Sequence, residues 1–367
     1  MKIAFDAKRF FNNSSGLGNY SRDLVRVLAI YFPDNEYLLL NKSKSSKGDE
    51  ILNQANVEFI ATSKGKFSRQ LKLGKNAQQA GADIFHGLSG ELPLKWNSKP
   101  IKKVVTIHDL IFLKFPKYYS FFDRKIHFWK FRRAAHQADK IIAISEQTKK
   151  DIIQYLKLPE ERICVVYQGC HDAFKVKKSE DELNELKLKF ALPERFLLNV
   201  GTIEERKNLL RVVKAIKENE IPLVVIGRKT KYFKRVNRFI IKNKMQQRVH
   251  FLEGVSMNEL AALYQLADVF VYPSVYEGFG IPVIEALFSG TAVITSNTSS
   301  LPEAGGPDSL YVNPENVEDL KAKIEFLWNN ESERRRRAEK GLEYAKKFEE
   351  ERVAGDMMRI YQSLFER

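Results

Sequence analysis

Cysteine is the scarcest residue in this chain: Cys164 and Cys170 are the only two among 367 residues. That argues against a disulfide scaffold and fits a reducing compartment. Long apolar runs are missing as well. No stretch approaches the roughly 18 uncharged apolar residues that a membrane span needs. The opening residues, Met1-Lys2-Ile3-Ala4-Phe5-Asp6, enter a short apolar strand with an acid at its end. No signal-peptide apolar region follows, and the cytoplasm is the expected location. Asp-x-Asp and His-Glu-x-x-His are both absent, and the six histidines are scattered. Nothing therefore supports a metal site of the usual spacing, and neither metal nor other cofactor is expected. There is no internal repeat at a fixed short period and no low-complexity segment. Acid is outnumbered by base, 46 residues to 61, for a net charge of +15. Such a balance favours an anionic partner, whether nucleotide, membrane surface, polyanionic glycan or nucleic acid.

What is present reads as an α/β protein. A length of 367 residues is too great for one ordinary core and implies two domains. Hydrophobic content of 44% with 29% charged residues suits a soluble globular enzyme. Short apolar runs alternate with amphipathic helical stretches almost from end to end. The first set of expected strands is Lys2–Phe5, Tyr37–Leu40, Val57–Phe59, Ile84–His86, Lys103–Ile107, Lys140–Ile144 and Ile163–Val166. The second is Phe196–Val200, Leu223–Ile226, Val249–Leu252, Val269–Val271, Ala292–Thr295 and Ser309–Val312. Helices are expected between most of them, among others at Tyr20–Tyr31, Leu209–Glu218, Asn258–Ala267 and Val317–Asn329. Alternation of this kind implies parallel sheets covered on both faces, and two such sets imply two doubly wound domains. The break is expected near residues 168–193, and the tail Glu331–Arg367 is helical by pattern.

Val271 to Gly290, V-Y-P-S-V-Y-E-G-F-G-I-P-V-I-E-A-L-F-S-G, is the most informative stretch. Glu277 and Glu285 bracket a turn built from Gly278, Phe279 and Gly280, and Pro282 marks a helix start. Glycines let backbone approach a ligand, and a helix start offers unpaired N–H groups to an anion. An anion-binding turn beside carboxylates that accept hydroxyl bonds suits a sugar nucleotide. A glycosidase pair is the rival for two glutamates. Glycosidase carboxyls lie about 5–5.5 Å apart in retaining enzymes and about 6.5–9.5 Å apart in inverting ones. Eight residues of continuous helix would separate these two by roughly 12 Å.

The pattern resembles the E-x7-E signature of glycosyltransferase family 4, whose members have the GT-B fold. The likeness continues through Thr291-Ala292-Val293-Ile294-Thr295-Ser296 and Leu301-Pro302-Glu303-Ala304-Gly305-Gly306. It implies two Rossmann-like domains facing a deep cleft, with a last helix crossing back to the first. Residues 1–170, with a helix at about 350–367, would form the acceptor-side domain. Residues 171–349 would bind the nucleotide sugar.

Three further segments are expected at the site. Ser14-Ser15-Gly16-Leu17-Gly18-Asn19-Tyr20 reads as a flexible turn before a helix, suited to phosphate or acceptor, and resembles the family's glycine-rich N-terminal loop. Val104-Val105-Thr106-Ile107-His108-Asp109 ends a buried strand in a polar pair, and the resemblance implies that His108 contacts the donor sugar. His86 ends the preceding strand as a weaker neighbour. Asn199-Val200-Gly201-Thr202-Ile203-Glu204-Glu205-Arg206-Lys207-Asn208 places two cations just before a helix. Arg206 can fork onto phosphate oxygens, and Lys207 is a compact point charge. Many family members carry arginine where Thr202 stands, so one family cation is missing and Arg206 is expected to compensate. The resemblance assigns Glu277 and the N–H groups of Phe279, Gly280 and Ile281 to the sugar and phosphates. Glu285 is assigned to the ribose, and Gly227 with Arg228 to the flank of the base.

These expectations amount to a retaining hexosyltransferase using a nucleotide sugar and a saccharide acceptor, lipid-linked, in surface polysaccharide synthesis. The T-I-E-E-R-K-N segment resembles mannosyltransferase-rich subgroups and points first to GDP-mannose. A GT-B sugar-nucleotide epimerase and a non-catalytic basic binding protein are the alternatives. Phe112–Arg133 holds nine aromatics, seven Lys or Arg and one acid, Asp123. That composition suits an anionic membrane surface on the inner face of the cell membrane, or equally a helix whose aromatics pack inward. Ile221–Leu252 contains nine Lys or Arg and no acid. No nucleic-acid-binding motif accompanies either stretch.

Overall fold

Blocks of Val, Ile, Leu and Phe too short to make helices become strands, and the amphipathic stretches between them cover the resulting sheets. The computed structural model of the protein describes residues 1–13, 16–63, 65, 67–96 and 100–366. Its strands form one sheet of seven and one of six. The first sheet contains β1 (Lys2–Asp6), β2 (Glu36–Asn41), β3 (Val57–Ala61), β4 (Ile84–Gly87), β5 (Lys102–Ile107), β6 (Lys140–Ala143) and β7 (Ile163–Val165). Its order is β3-β2-β1-β4-β5-β6-β7, and every pairing is parallel. The second contains β8 (Leu197–Val200), β9 (Leu223–Ile226), β10 (Val249–Leu252), β11 (Val269–Tyr272), β12 (Ala292–Ser296) and β13 (Leu310–Val312). Its order is β10-β9-β8-β11-β12-β13, again all parallel. Each expected strand is present, with ends within two residues of the sequence reading. Central strands such as β4, β8, β9 and β11 are buried at every residue, as parallel strands covered on both faces must be.

The chain divides into two compact units, Met1–Gly169 with Glu349–Arg367, and Cys170–Phe348. In the first, Phe5, Phe10, Phe11 and Tyr37 share a core with Val353, Met357, Met358 and Tyr361 of the helix Glu350–Ser363. That helix is amphipathic, and an Arg26–Glu350 ion pair fastens its start to the helix Gly16–Tyr31. In the second, Leu197, Val212, Val225, Val271 and Ile294 pack with Leu320 and Ile324 of the helix Val317–Trp328.

His86 departs from its expected place at a ligand site. It is fully buried, with Nδ1 2.6 Å from the Tyr361 hydroxyl and Nε2 2.8 Å from Thr106 Oγ1. Thr106 Oγ1 also lies 3.0 Å from the Tyr20 hydroxyl. The imidazole thus joins the helix Glu350–Ser363 to the ends of β4 and β5 and has no ring nitrogen left for a ligand. Burial holds its pKa down to about 3, with a smaller push from His108.

A lowered histidine pKa means that the unfolded chain binds the extra proton first. Stability is then complete above about pH 6.5 and falls as pH drops toward 3, by up to about 1.4 kcal/mol per unit for one group. Between pH 7 and pH 5, wild type should lose about 2 kcal/mol more than His86→Gln in denaturant unfolding. Identical pH dependence in the two proteins would remove His86 from this role.

Candidate active site

The second sheet reverses its winding at β8 and β11. From β8 the order runs through β9 to β10, and from β11 through β12 to β13. Loops leaving the carboxyl ends of two such strands diverge, and ligands of doubly wound sheets bind there. The loop after β8 carries Gly201 to Asn208, and the loop after β11 carries Pro273 to Gly280. Backbone and amide bonds lace the two loops together. Val275 N donates to Arg206 O at 2.8 Å, and the Asn208 amide donates to Pro273 O at 3.0 Å and Pro314 O at 2.7 Å. The helix Ile281–Phe288 then starts with proline in its first turn. Gly280 before it has φ +131°, and a Cβ there would press on Ala304 and Leu301 at 3.1 Å each. Only glycine suits that combination of backbone and space. Phe279 turns its ring inward, edge-on to Phe348 at 5.4 Å, so any ligand contact from Phe279 would come from its backbone.

A charged cluster occupies this switch point. Glu277 Oε1 accepts from the Tyr272 hydroxyl at 2.8 Å and from Ser274 Oγ at 2.9 Å, and Oε2 lies 2.7 Å from an Arg206 nitrogen. A carboxylate has about four acceptor positions, so roughly one remains open. Burial alone would raise the Glu277 pKa, but Arg206 and Lys207 hold it down to about 2. Lys207 Nζ donates to the Tyr272 hydroxyl at 2.9 Å and lies 4.0 Å from Glu277. Glu285, on the helix Ile281–Phe288, accepts from the buried Tyr264 hydroxyl at 2.9 Å.

Beyond β8 and β9 the backbones close on one another. Gly201 N donates to Ile226 O at 2.8 Å, and Ile203 N to Arg228 O at 3.0 Å. A Cβ on Gly227 would sit 1.9 Å from Gly201 O, so this approach requires glycine. Thr202 is half-buried beside it, and Arg228 is exposed. Among the described residues the Arg228 guanidinium has no hydrogen-bond or ion-pair partner.

The first unit holds the other expected residues. His108 Nε2 donates to Leu88 O at 2.9 Å, which fixes the tautomer and makes Nδ1 an acceptor, 3.3 Å from the Gln168 amide. Burial lowers its pKa to about 4 against the raising effect of the Leu88 carbonyl, with Arg9 lowering it further. Gly16 and Gly18 do not lie in a turn ahead of the helix. The helix begins at Gly16, and Gly18 backs onto the Asn13 carbonyl in its first turn. Ser14 and Ser15 lie outside the described residues. Among the described residues no group of three or more His, Cys, Asp or Glu is placed to hold a metal ion.

The sequence model of the family described as "Glycosyl transferases group 1" matches residues 181–344, and that of "Glycosyltransferase Family 4" matches residues 42–174. The chain belongs to glycosyltransferase family 4. Among its relatives is the O-antigen chain mannosyltransferase B of Escherichia coli, 26% identical over 391 aligned positions covering 99% of this chain and all of that protein. The serotype-specific mannosyltransferase WbdA of Escherichia coli is 30% identical over 263 positions, 67% of this chain but only 32% of WbdA. Among solved structures, HepE of Anabaena with UDP-glucose superposes at a TM-score of 0.78 with 16% identity, covering 99% of this chain and all of that one. WaaG, a glycosyltransferase involved in lipopolysaccharide biosynthesis, gives 0.72 with 18% identity, covering 98% and 99%. The two doubly wound units are those of the GT-B fold, and this family-4 protein is a hexosyltransferase.

In this family-4 enzyme Arg206 is not positioned as the sequence reading has it. Its guanidinium is occupied by Glu277, by Glu204 at 2.6 Å and by the Tyr276 carbonyl. Burial would lower its pKa, and the two glutamates more than reverse that. The partners lie up to 71 positions away along the chain, which no local pattern displays. Tyr272, Tyr264 and Ser274 also escape the sequence reading. The one available signal is a tyrosine ending an otherwise aliphatic and aromatic strand, in V-Y-P-S.

Removing one partner of a buried ion pair leaves the other charge uncompensated. Arg206→Ala should therefore cost about 3 kcal/mol of stability in the second unit. Lys207→Ala, whose ammonium stands farther from the same carboxylate, should cost less than about 1 kcal/mol. Urea unfolding of both variants measures the difference, and equal losses would contradict this division of labour.

Proposed function

We propose that this enzyme transfers mannose from GDP-mannose to a lipid-linked saccharide, with retention of anomeric configuration, during surface polysaccharide synthesis. The observation that carries the donor half is the gathering of Lys207, Glu277 and the helix start at Gly280 and Ile281 around one switch point. The choice of mannose and of a surface polysaccharide rests on relatives whose names say O-antigen chain mannosyltransferase, one of them matched over its whole length.

Each role follows from the chemistry available. Lys207 and the N–H groups of Phe279, Gly280 and Ile281 take the departing diphosphate, where negative charge grows in the transition state. Gly201 and Thr202 bring backbone close to the phosphates. The remaining acceptor position of Glu277 takes a sugar hydroxyl. Glu285 takes the ribose, while Gly227 and Arg228 flank the base. On the first unit, Gly16 and Gly18 open the helix that serves phosphate or acceptor. His108 offers Nδ1 as an acceptor on that unit: a sugar hydroxyl displacing the long Gln168 contact would donate to it. Glu277 already serves three donors and has a depressed pKa, which makes it a poor covalent nucleophile. The reading is therefore a same-face displacement. The bond from the anomeric carbon to the phosphate oxygen breaks as the acceptor oxygen bonds to that carbon, and the acceptor proton passes to the leaving phosphate.

The membrane side of the proposal rests on the helix Phe121–Gln137. Among the described residues no helix is long and apolar enough to cross a membrane. Phe112 is buried, and Phe128 and Phe131 pack against the same core. Phe122, Ile126 and Trp129, spaced along one helical stripe, are instead 77%, 53% and 52% exposed. Lys125 stands 4.5 Å over the exposed Phe121 ring, and Arg133 stands 5.7 Å over Trp129. An exposed aromatic stripe edged by cations suits an anionic headgroup layer. Lys130 and Arg133 also hold Glu91 and the Leu94 carbonyl, so they contribute to the fold as well.

The direct test is transfer of labelled mannose from GDP-mannose to polyprenyl-diphosphate-linked saccharides. Transfer is expected to persist in excess EDTA, and a complete, metal-reversible loss would contradict the assignment of the leaving group to Lys207. Glu285→Ala should weaken nucleoside-diphosphate binding by about 10- to 100-fold, the loss of charge-assisted bonds worth roughly 1.5–3 kcal/mol. Unchanged affinity would remove Glu285 from the ribose. For the membrane, wild type should sediment with anionic vesicles in a salt-sensitive way and little with neutral ones. Phe122→Ser with Trp129→Ser should weaken that sedimentation without altering nucleotide affinity, and equal sedimentation would return the stripe to an ordinary surface.

A further inference from the structure

We propose that Tyr272 is a positioning residue for the donor diphosphate, its single hydroxyl stationing the Lys207 ammonium and fixing Glu277 at the same time. The proposal rests on the reading of Lys207 as the diphosphate cation. Tyr272 is 1% exposed at the end of β11, where its ring stacks on Phe270 at 5.8 Å. Phenylalanine would fill that space equally well, so packing alone gives no reason for the oxygen. The hydroxyl donates its one proton to Glu277 Oε1 at 2.8 Å and accepts from Lys207 Nζ at 2.9 Å. Lys207 and Glu277 themselves are 4.0 Å apart, beyond hydrogen-bond range. The tyrosine oxygen is therefore the atom through which the two opposite charges are held in register.

The lysine gains most from this arrangement. A free lysine side chain samples many rotamers, and ordering it on binding subtracts from affinity. Here groups of the protein itself station the ammonium. It lies against Gly201 at the carboxyl end of β8, so close that a Cβ on Gly201 would be 2.8 Å from Nζ. Its Nζ lies 5.3 Å from the centroid of the Tyr272 ring, on the hydroxyl side. An ammonium has three donors. One is given to Tyr272, and among the described residues no protein acceptor lies within hydrogen-bond distance of the other two. Arg206, one residue away, has no comparable freedom because Glu277, Glu204 and the Tyr276 carbonyl occupy it. Burial, with Glu277 adding to it, keeps the Tyr272 hydroxyl protonated, so the relay has one fixed direction.

The experiment is a double-mutant cycle on Tyr272→Phe and Lys207→Ala. It is read by titration calorimetry with the tightest-binding diphosphate among GDP, UDP and ADP, and with its monophosphate. Coupled residues depart from multiplicative behaviour, whereas independent ones do not. Tyr272→Phe is expected to weaken the diphosphate about tenfold and the monophosphate less than threefold. In the double variant the loss should be no greater than in Lys207→Ala alone. Ser274→Ala supplies the control, because Ser274 donates to the same Glu277 oxygen without touching the lysine. Its effect should multiply with that of Lys207→Ala. A purely structural role for Tyr272 would weaken both nucleotides alike. Multiplicative losses for Tyr272→Phe and Lys207→Ala, or an unchanged diphosphate affinity in Tyr272→Phe, would overturn this proposal alone. An unchanged affinity in Lys207→Ala would overturn the diphosphate assignment with it.

Discussion

Glu277 keeps its negative charge where water scarcely reaches, and the loops after β8 and β11 are arranged around that charge. A carboxylate so placed must be paired and hydrogen-bonded or it takes up a proton. Arg206 supplies the pairing, and Tyr272 and Ser274 supply the bonds. The guanidinium that balances Glu277 also grips the carbonyl of Tyr276, one residue away, so the turn and its charge are held by the same group. The helix that starts at Ile281 inherits its position from this turn. So does Glu285 within it, which the Tyr264 hydroxyl steadies from a separate helix.

The two neighbouring cations therefore divide the work between scaffold and ligand. A planar fork with five fixed donors is suited to staying put among several acceptors. A point charge on a flexible stem is suited to meeting something that comes and goes. Arg206 followed by Lys207 places each type where its geometry serves. Thr202 brings no charge to this loop, so among the described residues Lys207 is its cation with donors to spare.

The strands could be read in advance because a parallel strand buried on both faces is an unbroken apolar block, and β4, β8, β9 and β11 are such blocks. The site loops could be read because glycines and charges collect where those blocks end. What could not be read were partners far away in sequence. Arg206 looks like a surface cation until Glu277 is seen beside it, and His86 looks like a site histidine until Tyr361, 275 residues on, is seen at its ring. The hydroxyls of Tyr272 and Tyr264 were hidden for a related reason, since in sequence both count as aromatic core. The glycine pattern at Gly16 and Gly18 misled in the opposite direction. It suggested a loop, whereas the second glycine is small because Asn13 lies against it at the start of a helix.

The helix Glu350–Ser363 gives the first unit a history as well as a shape. Its Met357, Met358 and Tyr361 complete a core whose other walls come from Phe5, Phe10 and Tyr37. On the ribosome those walls emerge first, and residues 170–348 must follow before the closing helix exists. At synthesis rates of about 5–20 residues per second, that gap lasts on the order of ten seconds or more. During it the second unit, continuous in sequence, is free to fold, while the earlier-made sheet waits with an uncovered apolar strip and His86 without its tyrosine. The order of birth and the order of completion are thus reversed.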